Sequence, residues 1–475
     1  MSIPKVVIAG THSGVGKTSV SLAIMAGLKK AGYRVQGYKV GPDYIDPSYH
    51  AVATGRPSHN LDDWMIGKEA SQWLFQQTSQ DCDIAVIEGV MGLFDGFSAT
   101  NDDGSTAKIA KMLKCPVILI IDASSMARSV AAIIKGFQTL DEEIKIVGVI
   151  LNRVASQNHL GILKEAIEFY NQIPVLGAIL RNEKIHIPER HLGLKTASEN
   201  AELLQMMDEL SRLTNINQEN TIGINLEQIL ELARQYSDDD IPVNFNLEKT
   251  MIDAPSVRIA YAKDKAFQFY YQANLDYLKS LGVQLIPFSP IEDRQLPDNV
   301  HGLYFGGGFP EIYAQQLEEN SSMRQAVREA IENGMPTYVE CGGLMYLTEG
   351  IKTLEGKIYK MVGVIPGLVE MTPKLVNFGY CENELIKDCF LGKQGERFRG
   401  HEFHYSRWDA EGTESIHRVD KKRRQSSRNE GYQRGNLVAS YVHCHFLSYP
   451  KRALCLIETA QSFAKATTAS EAQLK

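Results

Sequence analysis

Long hydrophobic runs are missing from this chain. No stretch of its 475 residues approaches the roughly 18 consecutive apolar residues of a membrane-spanning helix, so an integral helical membrane protein is excluded. The N-terminus, MSIPKVVIAGTHSG, lacks the basic start, apolar stretch and small-residue cleavage site of a secretory leader, and a cytoplasmic setting is expected. Cysteine is scarce. The seven residues (Cys82, Cys115, Cys341, Cys381, Cys389, Cys444, Cys455) are odd in number, scattered and without a C-x-x-C pair, which argues against a zinc site or a disulfide framework. An excess of positive charge is absent as well: 50 Lys+Arg stand against 57 Asp+Glu, a net charge of −7, which excludes a chain organised around a nucleic-acid backbone. No internal repeat is present. What remains, with 44% hydrophobic and 23% charged residues, is an ordinary globular chain of two or three domains built for small-molecule chemistry.

From Lys5 to about Leu180, short apolar runs alternate with helix-length amphipathic segments: KVVIAG (5–10), RVQGYKV (34–40), DIAVIEG (83–89), PVILIID (116–122), KIVGVILN (145–152) and IPVLGAIL (173–180). Near-continuous Val/Ile runs of this length suit strands covered on both faces, so the pattern predicts a mainly parallel sheet wrapped by helices. The alternation restarts at Val257 with VRIAYA, VQLIPFS, GLYFGGG and PTYVECGG, predicting a second α/β domain. The expected division is 1–190 for the first domain, 191–255 for a helical extension and linker, 256–452 for the second domain and 453–475 for a tail. The basic stretch HRVDKKRRQSSRNEGYQRGN (417–436) reads as a solvated loop and the small-residue tail as a frayed terminus.

Residues 10–18 read GTHSGVGKT, between a predicted strand and an amphipathic helix. That context suits a phosphate-binding loop, in which backbone N–H groups from Thr11 through Gly14, Val15 and Gly16 converge on phosphate oxygens at a helix N-terminus. Lys17 would contact the β- and γ-phosphates, and Thr18 would offer its hydroxyl to Mg2+. The usual G-x-x-x-x-G-K-[ST] spacing would put glycine at Thr11; it occurs one residue earlier, at Gly10, so the loop is a variant. Magnesium needs further hard oxygen ligands. Acids stand where neighbouring strands should end: Asp43 and Asp46 in GPDYIDP, Glu88 and Asp95 in IEGVMGLFDG. In a parallel sheet these positions share an edge with the phosphate loop, and Asp46 and Glu88 are the expected metal ligands, a Pro-bounded turn being the alternative for Asp43 and Asp46. Asp122 reads either as another water-orienting group or, preferably, as a helix cap for ASSMARSV; Asn152 and Arg153 read either as base contacts or as loop caps.

GTHSGVGKT, KVGPDYIDP and IEGVMGLFDG together resemble the dethiobiotin-synthetase-like group of phosphate-loop ligases, and within it the cobyrinate a,c-diamide synthase family of corrinoid biosynthesis. The resemblance spans nearly the whole chain. It implies that Thr18, Asp46 and Glu88 hold magnesium and that Asp43, Tyr44 and Asp95 lie near the substrate carboxylates.

A second constellation lies in YVECGGLMYL (338–347), an apolar run that stops at Cys341 and continues through Gly342 and Gly343 into a helical pattern. A nucleophile on a tight strand-to-helix turn needs glycines beside it and gains from the helix N-terminus. GLYFGGGFPE supplies Gly306, Gly307 and Gly308 as candidate N–H donors for an oxyanion, and SYVHCHF supplies His443 and His445. From about Val257 to Pro450 this arrangement resembles the class I glutamine amidotransferase domain, in its cobyrinate and cobyric acid synthase variant. The resemblance implies Cys341 as nucleophile, His443 as general base, and Gly307, Gly308 and the Gly342 N–H around the oxyanion. Many amidotransferases follow the histidine with Pro-Glu, the glutamate orienting the imidazole. This chain has Cys444 and His445 there, so the third group is open between His445 and a plain dyad. RGHEFHYS (399–406) is equally open between structural hydrogen bonding and substrate contact.

An ATP site and an ammonia generator on one chain define a carboxylate amidoligase, working through an acyl phosphate, with a sheltered ammonia path expected between Cys341 and Lys17. The resemblance implies cobyrinate, L-glutamine and ATP as partners, with Mg2+, and with neither nucleic acid nor membrane; a homo-oligomer is left open. Hydrogenobyrinate and nickel sirohydrochlorin are alternative substrates. A partitioning-type ATPase switch and a dethiobiotin-type carboxylating ligase are rivals that leave the C-terminal domain without a use; cobyric acid synthase is a nearer rival, disfavoured by GPDYIDP so close to the N-terminus.

Overall fold

A strand of continuous Val and Ile can hide its two faces only between two layers of helices, and the first part of the chain is built that way. The computed structural model describes residues 3–181, 201–214, 222–236, 245, 247, 257–409, 412–421 and 426–473. It divides into two compact units, the first running to Phe245 and the second from Asn246 onward.

The first unit contains strands β1 (Lys5–Gly10), β2 (Val35–Val40), β3 (His59–Leu61), β4 (Ile84–Glu88), β5 (Val117–Asp122), β6 (Ile146–Val154), β7 (Val175–Leu180) and β8 (Gly223–Ile224). Its helices are α1 (Lys17–Lys30), α2 (Ile45–Thr54), α3 (Gly67–Ser79), α4 (Thr106–Met112), α5 (Ser129–Leu140), α6 (Gln157–Asn171), α7 (Ala201–Arg212) and α8 (Leu226–Gln235). The strand order is β3-β2-β4-β1-β5-β6-β7-β8, parallel except for β8. All six predicted runs are strands, and β1, β2 and β4 are buried from end to end. β4 inserts between β1 and β2, which sets Glu88 opposite Ile8 on one side and Lys39 on the other. The sheet order therefore carries the ends of β2 and β4 to the edge where β1 opens into the phosphate loop.

Two short strands escaped the sequence pattern. β3 is only His59–Leu61, and its Asn60 Nδ2 donates to the carbonyls of Gly41 (2.8 Å) and Asp43 (2.7 Å), fastening the GPDYIDP loop. β8 pairs antiparallel with β7, so the helices expected between 191 and 255 are tied into the first unit; Lys30 of α1 meets Asp208 of α7 at 2.8 Å. Most of the expected linker lies outside the described residues.

The second unit holds a six-stranded sheet in the order Gln284–Phe288, Arg258–Ala262, Gly302–Phe305, Thr337–Glu340, Leu437–Ser440, Tyr432–Arg434, parallel apart from the last strand. Beside it lies a five-stranded antiparallel sheet, ordered Ser426–Glu430, His417–Lys421, Asn377–Leu385, Arg397–His404, His443–Cys444. The stretch 417–436, expected as a solvated loop, is thus largely strand. Two of its basic residues are drawn to a buried acid: Lys421 Nζ sits 3.0 Å from the fully buried carboxylate of Glu402, and Arg428 pairs with the same group. Composition alone cannot reveal an internal acid waiting for those cations.

The tail is also corrected. Helix Lys451–Gln473 spans the expected break at 452/453, and Ala453, Leu456, Ile457 and Ala460 are buried, a spacing that lays one face on the unit. Among the described residues no helix is long and apolar enough to cross a membrane.

Candidate active sites

The phosphate loop leaves β1 at Gly10, and its turn requires glycine where φ is positive: Gly14 at 80° and Gly16 at 99°. A Cβ on Gly16 would stand 2.2 Å from Asn152 Nδ2, which donates to the Val15 carbonyl at 2.8 Å. Arg153 donates to the Gly14 carbonyl at 3.3 Å and pairs with Asp122. Asn152 and Arg153 therefore hold the loop from outside. Asp122 closes a local turn on Ser124 N–H (3.0 Å) and pairs with Arg153, while the following helix starts only at Ser129, so the expected helix cap is corrected to a turn and a loop brace.

The structure gathers Thr18, Asp46 and Glu88 around Lys39, which lies outside the recognised motifs. Lys39 Nζ lies 2.5 Å from Asp46 and 2.8 Å from Glu88, with all three side chains almost wholly buried. Thr18 Oγ1 donates to Glu88 at 2.6 Å, and His50 Nε2 meets the other Glu88 oxygen at 2.6 Å. Burial by itself would push the Glu88 carboxyl up; Lys39 and His50 reverse this and hold it well below the ordinary carboxylate range. Burial would likewise lower the Lys39 ammonium, and Asp46 and Glu88 raise it instead. Both were legible in principle: Lys39 is the cation inside an apolar run, and His50 follows Asp46 by one helical turn.

Lys17 reaches from α1 to the Met91 carbonyl in the segment after β4 and to the His12 carbonyl at 3.4 Å. Asp43 Oδ1 accepts from the N–H groups of Ile45 (2.7 Å) and Asp46 (3.0 Å), starting α2, while Asp95 accepts from Gly92 N–H at 3.0 Å. These two, with Tyr44 between Asp43 and α2, stand at the loop-bearing edge of the sheet, each acid also stabilising its own loop. No group of three or more His, Cys, Asp and Glu forms a ready-made metal cage among the described residues. Magnesium does not need one, since one or two carboxylates, a hydroxyl and substrate phosphates satisfy it, and Thr18, Asp46 and Glu88 have that hard-oxygen chemistry.

In the second unit, Cys341 ends the strand Thr337–Glu340 and caps helix Gly342–Leu347 with φ 45° and ψ −104°, a conformation costly for a non-glycine residue. Backbone bonds enforce it: Cys341 N–H donates to Ser440 O (2.8 Å), and Met345 N–H donates to Cys341 O (3.2 Å). The glycines are there for close approach. A Cβ on Gly307 would stand 2.5 Å from His443 Cε1, and one on Gly342 would stand 2.9 Å from the Gly308 nitrogen. Cys341, His443, Gly307, Gly308 and Gly342 therefore converge. Burial would lower the His443 imidazole, but Cys341 first and then Glu340 lift it to about 10.

The His445 ring lies on Tyr271, with centroids 4.9 Å apart, and its Nδ1 accepts from Leu447 N–H at 3.2 Å. The carboxylate near the base is Glu340, whose Oε2 is 3.7 Å from His443 Nδ1. RGHEFHYS forms most of the strand Arg397–His404: His401 sits opposite His443 in the sheet, Glu402 is the buried acid paired with Lys421 and Arg428, and His404 stacks on Tyr441 at 4.0 Å.

Comparison with known proteins gives the class first. The CobQ/CobB/MinD/ParA nucleotide binding domain matches residues 6–194 and the CobB/CobQ-like glutamine amidotransferase domain matches residues 258–451, so the chain is a nucleotide-binding domain joined to a glutamine amidotransferase domain. The cobyrinate a,c-diamide synthase of Listeria innocua is 46% identical over 450 residues, covering 94% of this chain and 97% of that protein. The proteins of the same name from Dehalococcoides mccartyi and Priestia megaterium are each 44% identical, over 467 and 465 residues, with 98% of this chain and 99% of theirs covered. The chain belongs to the cobyrinate a,c-diamide synthase family.

Proposed function

We propose that the protein amidates the a and c carboxylates of cobyrinate, using ATP and glutamine, in cobalamin biosynthesis. The observation that carries this reading is the coexistence on one chain of a phosphate loop facing a lysine-bridged carboxylate pair and a Cys–His pair ringed by glycines. The substrate's identity rests on family membership.

In the second unit, Cys341 Sγ attacks the glutamine carboxamide carbon while His443 takes the thiol proton and delivers it to the departing nitrogen. Backbone N–H groups of Gly307, Gly308 and Gly342 receive the developing oxyanion. Water then cleaves the thioester to glutamate. In the first unit, the loop amides from Thr11 to Gly16, with Lys17, hold the ATP phosphates, and Lys39 stands ready to neutralise charge as the γ-phosphoryl passes to the substrate carboxylate. Ammonia attacks the acyl phosphate and phosphate leaves. Thr18, Asp46 and Glu88 would hold Mg2+, which when bound supplies further neutralisation of phosphate charge. Asp43, Tyr44 and Asp95 belong to the substrate-facing loops.

The test is phosphate release with ATP, cobyrinate and either glutamine or ammonium chloride, combined with mass spectrometry of the corrinoid. Two acid-to-amide mass changes are expected with either nitrogen source. Cys341→Ser should abolish glutamine-dependent amidation and leave ammonium-dependent amidation within about twofold of wild type, because the thiol serves only to release ammonia. Loss of both activities contradicts separate sites; ATP turnover without a corrinoid mass change removes cobyrinate and points to another tetrapyrrole acid.

A further inference from the structure

A histidine that serves a thiol has to present a lone pair to it, and a partner on the opposite ring nitrogen fixes that tautomer. Glu340 is the carboxylate placed on that side of His443: its Oε2 lies 3.7 Å from Nδ1, with the two side chains 1% and 2% exposed. Its other oxygen accepts from Tyr338 OH and from the backbone N–H of Cys444 at 3.0 Å. The carboxylate is therefore clamped both by its own strand and by the residue that follows the histidine. The positive-φ turn at Cys341 swings the thiol away from the strand direction, which lets two consecutive residues address one imidazole.

We propose that Glu340 is the positioning residue for His443, completing a Cys–His–Glu set in which the acid immediately precedes the nucleophile. The inference rests on the glutamine amidotransferase reading above. His443 Nε2 takes the Sγ proton as the S–C bond forms and the carbonyl π pair moves to oxygen. The same proton goes to nitrogen as the C–N bond breaks and ammonia leaves. His401, opposite His443 in the strand pair, is a further titratable group near it, and burial lowers its imidazole to about 3. Near Glu340 lie the hydroxyl groups of Tyr338, Tyr304 and Tyr270 and the guanidinium of Arg452.

Glu340→Gln in the full chain tests this. Glutamine can still accept from Tyr338 and Cys444, but its NH2 group opposes Nδ1 and selects the tautomer that presents N–H to the thiol. Glutaminase kcat should fall about 100-fold or more, with KM for glutamine changed less than about threefold and ammonium-dependent amidation retained. The acid limb of the glutaminase pH profile, which follows loss of the proton from His443, should move to lower pH, since Glu340 helps to hold the imidazolium. Glu340→Asp should recover at least about tenfold of the loss, and His445→Phe should leave kcat within about threefold of wild type. A Glu340→Gln enzyme within about threefold of wild type, alongside a Cys341→Ser enzyme without glutaminase activity, overturns the proposal and leaves the amidotransferase reading standing. Glutaminase activity surviving in Cys341→Ser overturns that reading itself. A lowered thermal transition in Glu340→Gln with no recovery in Glu340→Asp assigns Glu340 to structure and likewise overturns the proposal.

Discussion

Lys39→Met keeps most of the side-chain volume and deletes the ammonium group that Asp46 and Glu88 share at 2.5 and 2.8 Å, where the three side chains are 3%, 4% and 0% exposed. Removing one partner of a buried ion pair costs about 3–5 kcal/mol, because the remaining charge stays desolvated. Here two carboxylates are left facing each other. One of them can relieve the repulsion by taking up a proton, and His50 still holds Glu88 at 2.6 Å, so the lower end, about 3 kcal/mol, is expected. In a unit of this size that lowers the melting temperature by about 6–12 °C. Scanning calorimetry of the full chain reads it, the first unit's transition being recognised by its upward shift with magnesium-ATP. Adding Glu88→Gln should restore part of the loss, with a coupling of about 1 kcal/mol or more. Amidation assayed below the transition should vanish with glutamine and with ammonium alike, unlike the effect of Cys341→Ser. A Lys39→Met protein that melts within about 2 °C of wild type and still amidates with ammonium would refute the reasoning.

Gly16→Ala combines a φ of 99° with a Cβ 2.2 Å from Asn152 Nδ2, so the loop must open; KM for ATP should rise about tenfold or more while glutaminase activity stays intact, and an unchanged KM would show that the brace yields freely. His401 is buried and its imidazole is lowered by burial to about 3, below its unfolded value. Between those values the unfolded state binds more protons than the folded one, so stability falls as pH falls below about 6.5. His401→Phe should flatten the decline of melting temperature between about pH 6.5 and 4, and parallel curves for the two proteins would count against it.

The parallel sheets were legible because Val/Ile runs buried on both faces carry their own signal, and the phosphate loop because its glycines answer to backbone geometry. What escaped detection depended on partners distant in sequence. Lys39 looks like a stray cation until β4 sets Glu88 opposite it. Arg428 and Lys421 look solvated until strand pairing brings in Glu402. Glu340 lies in plain view within YVECGG, but the usual orienting acid follows the histidine, and only the fold brings the residue before the nucleophile to within 3.7 Å of the imidazole. β3 and β8 are too short for periodicity to register.

The insertion of β4 between β1 and β2 also governs when the first site can exist. Neither of its neighbours pairs with the other, so the loop after β1 has no acidic counterpart until residue 88 has docked, and no outer brace until Asn152 and Arg153 have followed. A growing chain therefore builds nucleotide affinity late, after the central sheet is assembled from segments far apart in sequence. A fragment ending before β6 should fold poorly around its glycines however intact its loop sequence.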